Sequence, residues 1–282
     1  MQPNTVLITG CSSGIGRATA LGFLEEDWVV YATARNPADI QTLGERQGCR
    51  IAKLDVTDDE DVSRVVDRIV EEEGHITCLV NNAGYAQMGP IEDVPTPEVH
   101  RQFDVNVYGP HRLTRAVLPH MREQEDGTIV NVSSVVGRVS FPGMGVYAGS
   151  KFAVEAMTDA LRGEVEEYGI EAILIEPGPV DTQFTERAEA EVRGSEDVPG
   201  IERSGAYESF YDFFEDTRAI GGGGPGAVPP ESVAADIVNA ASATEPRARY
   251  QSGTVAQLAV FMRFLPDRWR DAGYRFVSRL SR

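Results

Sequence analysis

Apolar, β-branched runs alternate with amphipathic stretches along most of the chain. "TVLIT" (5–9), "WVVYATA" (28–34), "RIAKLDV" (50–56), "ITCLVNNAG" (76–84), "GTIVNVSS" (127–134) and "IEAILIEPG" (170–178) are such runs. A strand covered on both faces reads as a continuous apolar run rather than as strict alternation. Between them the spacing changes to that of helices. Ala18, Ala20, Leu21 and Leu24 form one helical pattern, and "DVSRVVDRIVEEEG" (61–74) forms another that ends at a glycine. "PPESVAADIVNAA" (229–241) opens with prolines, which suit a first helical turn. "RARYQSG" offers a seventh strand. Strands separated by helices predict an α/β fold: a doubly wound parallel sheet of about seven strands, flanked by helices, in a single domain spanning 1–282.

Two stretches depart from this rhythm. Residues 183–228 are polar and aromatic, with "ESFYDFF" before "GGGGPG". They read either as a lid over a substrate pocket, hinged at the glycines, or as a surface insertion. Residues 252–282 are expected to form a C-terminal helical extension. There Leu258, Phe261, Met262 and Leu265 share a helical face, with Arg263, Arg268 and Arg270 close by. This extension is either a cap on the domain or a partner subunit, or an amphipathic anchor on anionic membrane.

Charge narrows the function classes. The net charge is -18, which argues against a nucleic-acid partner, since such a protein must offer phosphates a basic face. Acid excess with only two lysines, Lys53 and Lys151, resembles the surface of salt-adapted (halophilic) proteins. The charge is also uneven: from Pro246 to Arg282 there are eight arginines and two acids. Cys11, Cys49 and Cys78 are an odd number without metal-ligand spacing, which predicts a reducing compartment and no disulfide framework. His75, His100, His111 and His120 fall in no ligand pattern, so no metal is expected. With no signal pattern and no apolar run near the ~20 residues of a spanning helix, the expected location is cytoplasmic.

"TGCSSGIG" (9–16) lies between the first strand and the first helix. Its Gly10, Gly14 and Gly16 suit a tight turn, a close approach of backbone to pyrophosphate and close strand–helix packing. Backbone N–H groups at the positive end of that helix would receive the phosphates, with Ser12, Ser13 and Ile15 completing the cradle. An NAD site has an acid at the end of the second strand; here Ala34 stands there and Arg35 follows. An arginine fork suits a 2′-phosphate, so NADP (NADPH) is expected over NAD. Asp39, beyond Pro37, is expected to lie outside the site.

"YAGSK" (147–151) places Tyr147 and Lys151 four residues apart, on one helix face. A phenol is a poor base near neutrality, and a nearby ammonium favours its phenolate. Lysine is a compact charge with three donors, able to serve a phenol and a ribose hydroxyl together; arginine is planar and bulkier. Ser134 stands thirteen residues before Tyr147, with Ser133 as a competing candidate. Together with "NNAG" (81–84), "NVSSVVG" (131–137) and "PGPVDT" (177–182), these motifs make the chain resemble the single-domain branch of the short-chain dehydrogenase/reductase (SDR) family, from about residue 5 to 182. The tail, "RFLPDRW", is similar to the ends of some steroid- and retinol-type members.

The resemblance implies a Rossmann-like fold and roles for particular residues. Tyr147 would be the acid/base, Lys151 would hold the nicotinamide ribose and lower the tyrosine pKa, and Ser134 would bond the substrate carbonyl. Asn106 would order a water relay from the lysine to solvent. Asp55, with Val56, would meet the adenine. Asn81, Ala83 and Gly84 would lie by the adenosine ribose and the sheet. Pro177, Gly178, Val180 and Thr182 would line the nicotinamide side, with Thr182 on its carboxamide. The implied reaction interconverts a carbonyl and an alcohol on a small molecule, in a homodimer or homotetramer; the aromatic residues Phe210, Tyr211, Phe213 and Phe214 and the apolar tail point to a lipophilic substrate. A catalytically silent NADP-binding regulator is the alternative from another class.

Overall fold

The computed structural model describes residues 3–184, 188, 192, 203–208, 210–211 and 226–280, with side chains as far as residue 273. Seven strands, β1 (Thr5–Ile8), β2 (Val29–Ala34), β3 (Cys49–Lys53), β4 (Cys78–Asn81), β5 (Gly127–Val132), β6 (Ile170–Pro177) and β7 (Arg249–Ser252), form one sheet in the order β3-β2-β1-β4-β5-β6-β7. Every pairing is parallel. The helices are α1 (Gly14–Glu25), α2 (Gln41–Gly44), α3 (Asp59–Glu73), α4 (Thr96–Phe103), α5 (Gly109–Gln124), α6 (Gly145–Val165), α7 (Pro230–Ser242), α8 (Thr254–Met262) and α9 (Asp267–Leu280). This is the doubly wound, Rossmann-like sheet that the apolar runs predict.

Side chains on successive strand residues point to opposite faces. Val6, Ile8, Val30, Ala32, Val80 and Val130 therefore pack with Ala20 and Phe23 of α1 and Ile237 of α7. Leu7, Tyr31, Leu79 and Ile129 pack on the other side with Val65 and Ile69 of α3 and Leu113, Val117 and Met121 of α5. Both faces are apolar, which is why the strands lack a polar alternation. Two strands stop earlier than their apolar runs. β3 ends at Lys53 because Asp55 folds back, its Oδ1 accepting from the Thr57 N–H at 3.0 Å. β4 ends at Asn81, since Asn82 and Ala83 bond to the loop after β1 instead. α3 begins two residues before its periodic stretch, because the Asp58 carboxylate accepts from the N–H groups of Glu60 and Asp61.

From Thr96 to Gln124 the chain is helical throughout, but Asp104–Tyr108 is a π-helical turn. The Gly109 N–H donates to the Asp104 carbonyl, five residues back. Pro110 follows, and its ring would clash with the carbonyl four residues back in an ordinary α-helix. The wider turn, with an arginine stapled across it (Arg112 Nη2 to Asp104 Oδ1, 2.8 Å), accommodates that residue.

The three cysteines are buried free thiols. Among the described residues no group of His, Cys, Asp and Glu could hold a metal ion, and no helix is long and apolar enough to cross a membrane. Most of the expected lid, including Phe213, Phe214 and residues 221–225 of the glycine run, lies outside the described residues. The described part is tied down. Tyr211 donates its hydroxyl to Asp93 at 2.8 Å and Tyr207 donates to Glu92 at 2.6 Å.

Candidate active site

The sheet order reverses between β1 and β4, and the crevice beyond the carboxyl ends of those strands is where open α/β sheets bind ligands. Gly10 and Gly14 there have φ of +73° and +52°, a region that disfavours a side chain. A Cβ on Gly16 would fall 2.3 Å from the Gly10 carbonyl oxygen and 2.4 Å from Asn82 Nδ2. Asn82 is the strut of this turn: its amide donates to the carbonyls of Thr9 at 2.9 Å and Gly10 at 3.1 Å. The Thr9 hydroxyl in turn accepts from the N–H groups of Asn82 and Ala83, both at 3.0 Å. Ser13 caps α1 through its backbone only, with no side-chain bond. The first N–H groups of α1 are thus free for an anion, and exposed Ser12 and half-buried Ile15 flank them. A closely packed glycine turn ending in an uncapped helix fits the pyrophosphate of a dinucleotide.

Ala34 is buried and Arg35 is exposed just beyond β2. Asp39 is turned aside, accepting from Asn36 Nδ2 at 3.1 Å. Asp55 is half-buried and its Oδ1 is committed to Thr57; Val56 packs against Gly109. Asn81 ends β4 and is joined to the sheet: its amide donates to Asn131 Oδ1 at 2.8 Å, and Asn131 donates to Thr158 at 2.8 Å. Arg17, unremarked in the sequence, reaches from the first turn of α1 to Thr42 at 2.8 Å. Its signal was a basic residue directly after the glycines.

The chemistry-bearing residues meet at the end of β5. Tyr147 and Lys151, on successive turns of α6, are both 6% exposed. Lys151 Nζ donates to the Val132 carbonyl at 2.8 Å and stands 5.9 Å from the Tyr147 ring centroid. Burial pushes the phenol up to about 12, and a hydrogen bond from the Ser134 side chain pulls it back down. Burial also brings the Lys151 ammonium down to about 8, while the charge of Glu155 raises it. Of these two influences on the phenol, the lowering one comes from Ser134. Ser134 and Ser133 face different ways. Ser134 Oγ accepts from the Val136 N–H at 3.3 Å and lies 3.5 Å from the Pro177 carbonyl oxygen. Ser133 is buried on the Glu155 side, where it helps to hold that carboxyl down.

Asn106, on the π-helical turn, is 1% exposed. It accepts from the Tyr85 N–H at 3.2 Å and donates to the Tyr85 carbonyl at 3.0 Å and to Ser150 Oγ at 3.2 Å. Ser150 donates to the Tyr147 carbonyl at 2.7 Å, so Asn106 is joined to the helix turn that carries the phenol. Gly84 passes so close that a Cβ there would lie 3.0 Å from Asn106 Oδ1. After β6, Gly178 donates to the Ser252 carbonyl at 3.1 Å and Val180 bridges to Val228. Thr182 touches Gly14, its Cγ2 3.0 Å from where a Cβ would be. Thr182 thereby closes the cradle from the β6 side.

Behind Lys151 lies an ionic cluster the sequence did not announce. Glu176, fully buried, meets Arg138 at 3.0 Å and Arg249 at 3.1 Å. Arg249 also meets Glu155 at 3.3 Å and Asp159 at 2.5 Å. Burial, the largest influence, pushes the Glu155 carboxyl up to about 7; Glu176 raises it further, while Ser133, Arg249 and Arg138 lower it.

The profile of the short chain dehydrogenase family matches residues 4–193. The chain belongs to the short-chain dehydrogenase family. As such it is an NAD(P)-dependent oxidoreductase. It is 37% identical over 264 residues to human retinol dehydrogenase 8, covering 89% of this chain and 81% of the relative. It is 32% identical over 274 residues to an NADPH-dependent 3-dehydrocapnine reductase of Ornithobacterium rhinotracheale, covering 94% of each. A crystal structure of a short-chain dehydrogenase from Streptomyces avermitilis superposes with a TM-score of 0.81 at 32% identity, covering 99% of this chain and 98% of that one.

Proposed function

We propose that this short-chain dehydrogenase interconverts a lipophilic ketone or aldehyde and its alcohol, with NADPH as the preferred donor. The observation that carries the proposal is the meeting of Tyr147, Ser134 and Lys151 at the end of β5, beside the glycine cradle. The bound nicotinamide would supply or accept the hydride. Tyr147, neutral at physiological pH, gives its proton to the developing alkoxide, and Ser134 holds the carbonyl oxygen and then stabilises the phenolate. Lys151 spends one of its three donors on Val132, which leaves two for a ribose hydroxyl and solvent, while its charge acts on the phenol through space. Asn106 positions the α6 turn and the Tyr85 loop. The surroundings of Tyr147 support a lipophilic substrate: it packs with Ala86, Met88, Val136 and Val139, and with Phe141 and Met144 at the edge. A panel of ketones and aldehydes tests the proposal through NADPH oxidation; a protein that binds NADPH and consumes it with none of them is a regulator instead.

The free-enzyme pH profile follows from the two shifted groups. The phenol stays protonated far above neutrality, so it does not limit reduction. Lys151 loses its charge as pH rises through about 8. Reductive kcat/KM is expected to be level below pH 8 and to fall above it, since that parameter reports the free enzyme. A profile level to pH 10 would remove the ammonium from the mechanism.

For the cofactor, Arg35 and Arg17 offer guanidinium groups near the end of β2, and Ala34 adds no acid. A charge-assisted hydrogen bond contributes about 1.5–3 kcal/mol. Arg35→Ala is expected to weaken NADPH by roughly 10- to 100-fold and to leave NADH nearly unchanged. Ala34→Asp adds repulsion and is expected to favour NADH. Dissociation constants at one fixed, high salt concentration check this; wild-type protein with equal affinities for both would refute it.

A further inference from the structure

We propose that the outer face of α8 and the start of α9 is a docking surface for an anionic lipid bilayer. Eleven large apolar side chains are exposed among the described residues, and five of them fall within the twelve positions 258–269. Leu258 is 70% exposed, Phe261 69%, Phe264 77%, Leu265 42% and Trp269 70%. Leu258 and Phe261 stand three residues apart on α8, so they share a face, and Phe264 and Leu265 follow in the turn between α8 and α9. The other six exposed apolar residues are dispersed over residues 91–184.

The opposite side of α8 is already used. Ala256 is fully buried, and Ala259, Val260 and Met262 pack on the cluster that contains Tyr147. The helix is thus apolar on both sides, with one side seated on the domain and the other open to solvent. The expectation of a simple cap accounts for the first side only.

Charge selects the occupant. From Thr254 onward the chain carries six arginines against Asp267 and Asp271, although its net charge is -18. Arg263 and Arg268 are exposed among the apolar residues, and Arg270 pairs with Asp267. Anionic headgroups attract this segment and repel the rest of the molecule, so the field presents the apolar face to the bilayer. Two copies joined symmetrically through the same face would instead bring basic segments together. Trp269 at the end of the patch suits the headgroup boundary, where one side of the ring is apolar and the other wet. The inference stands on the surface alone and does not depend on the proposed reaction. It does place a lipophilic substrate within about one helix diameter, ~10 Å, of the site.

The chain has two tryptophans, and Trp28 is buried at 6% exposure, so a fluorescence shift on adding vesicles reports Trp269. Full-length protein mixed with phosphatidylglycerol–phosphatidylcholine vesicles is expected to show a blue shift and to float with them. Phosphatidylcholine vesicles should bind at least tenfold more weakly, and added salt should weaken the anionic binding. The double variant Phe261→Glu/Phe264→Glu should lose binding at least tenfold while keeping the wild-type unfolding midpoint and wild-type NADPH affinity. Absence of flotation with anionic vesicles at low salt overturns the proposal, as does equal binding to both vesicle types. Light scattering that finds a stable oligomer dissociated by the double variant also overturns it, by making the face a subunit contact.

Discussion

Tyr147→Phe is expected to bind NADPH as the wild type does and to turn over about 10²- to 10⁴-fold more slowly, because only the proton donor is removed. Lys151→Arg is expected to fail as well, although it keeps the charge. Lys151 is 6% exposed and ends 2.8 Å from the Val132 carbonyl. A guanidinium is wider and longer than an ammonium and must displace packed neighbours or leave that carbonyl, and its planar fork cannot divide its donors among three directions. Turnover with saturating NADPH, together with the NADPH dissociation constant, separates loss of chemistry from loss of binding. Near-normal turnover in Lys151→Arg would show that any positive charge suffices there.

The second large effect concerns stability. Arg249→Met is expected to destabilise the fold by about 3–5 kcal/mol, the range for breaking a buried pair and leaving its partner charged. Its loss leaves the buried Glu176 with one cation, Arg138, beside the Gln251 amide, and takes Arg249 from Glu155 and Asp159. The pH dependence has a definite sign. A carboxyl whose folded pKa is raised favours the folded state below its unfolded value, and that favour is lost as pH rises through the folded pKa. For Glu155 the window runs from its ordinary 4.5 to about 7. Without Arg249 the carboxyl is pushed higher still, so the deficit should be larger at pH 8 than at pH 5. Urea midpoints of both proteins at the two pH values decide it; an equal deficit would mean that the cluster is neutralised by solvent.

The strands were legible because both faces of the sheet are covered, which leaves uninterrupted apolar runs. The glycine cradle was legible because close approach of backbone to backbone allows no Cβ at Gly16. The pairing of Tyr147 with Lys151 follows from helical spacing alone. Other features depend on residues remote in the sequence. Nothing near Asn82 marks it as the strut of a turn seventy residues earlier, and nothing in "NNAG" says that Asn81 faces Asn131. The helix from Thr96 to Gln124 is interrupted in sequence by Pro110 and Pro119, which read as breaks. The ionic cluster joins residues 138, 155, 176 and 249, a pairing that local pattern cannot express.

The widened turn at Asp104–Tyr108 sets a constraint on chain length itself. One residue fewer there would allow an ordinary helix up to the proline, but each residue of an α-helix advances the direction by about 100°. Everything before the cut would then rotate relative to everything after it, so that Asn106 could not meet both the Tyr85 backbone and Ser150. A single-residue deletion within 104–108 should therefore be more damaging than most point substitutions in the same segment, even those that alter its side chains.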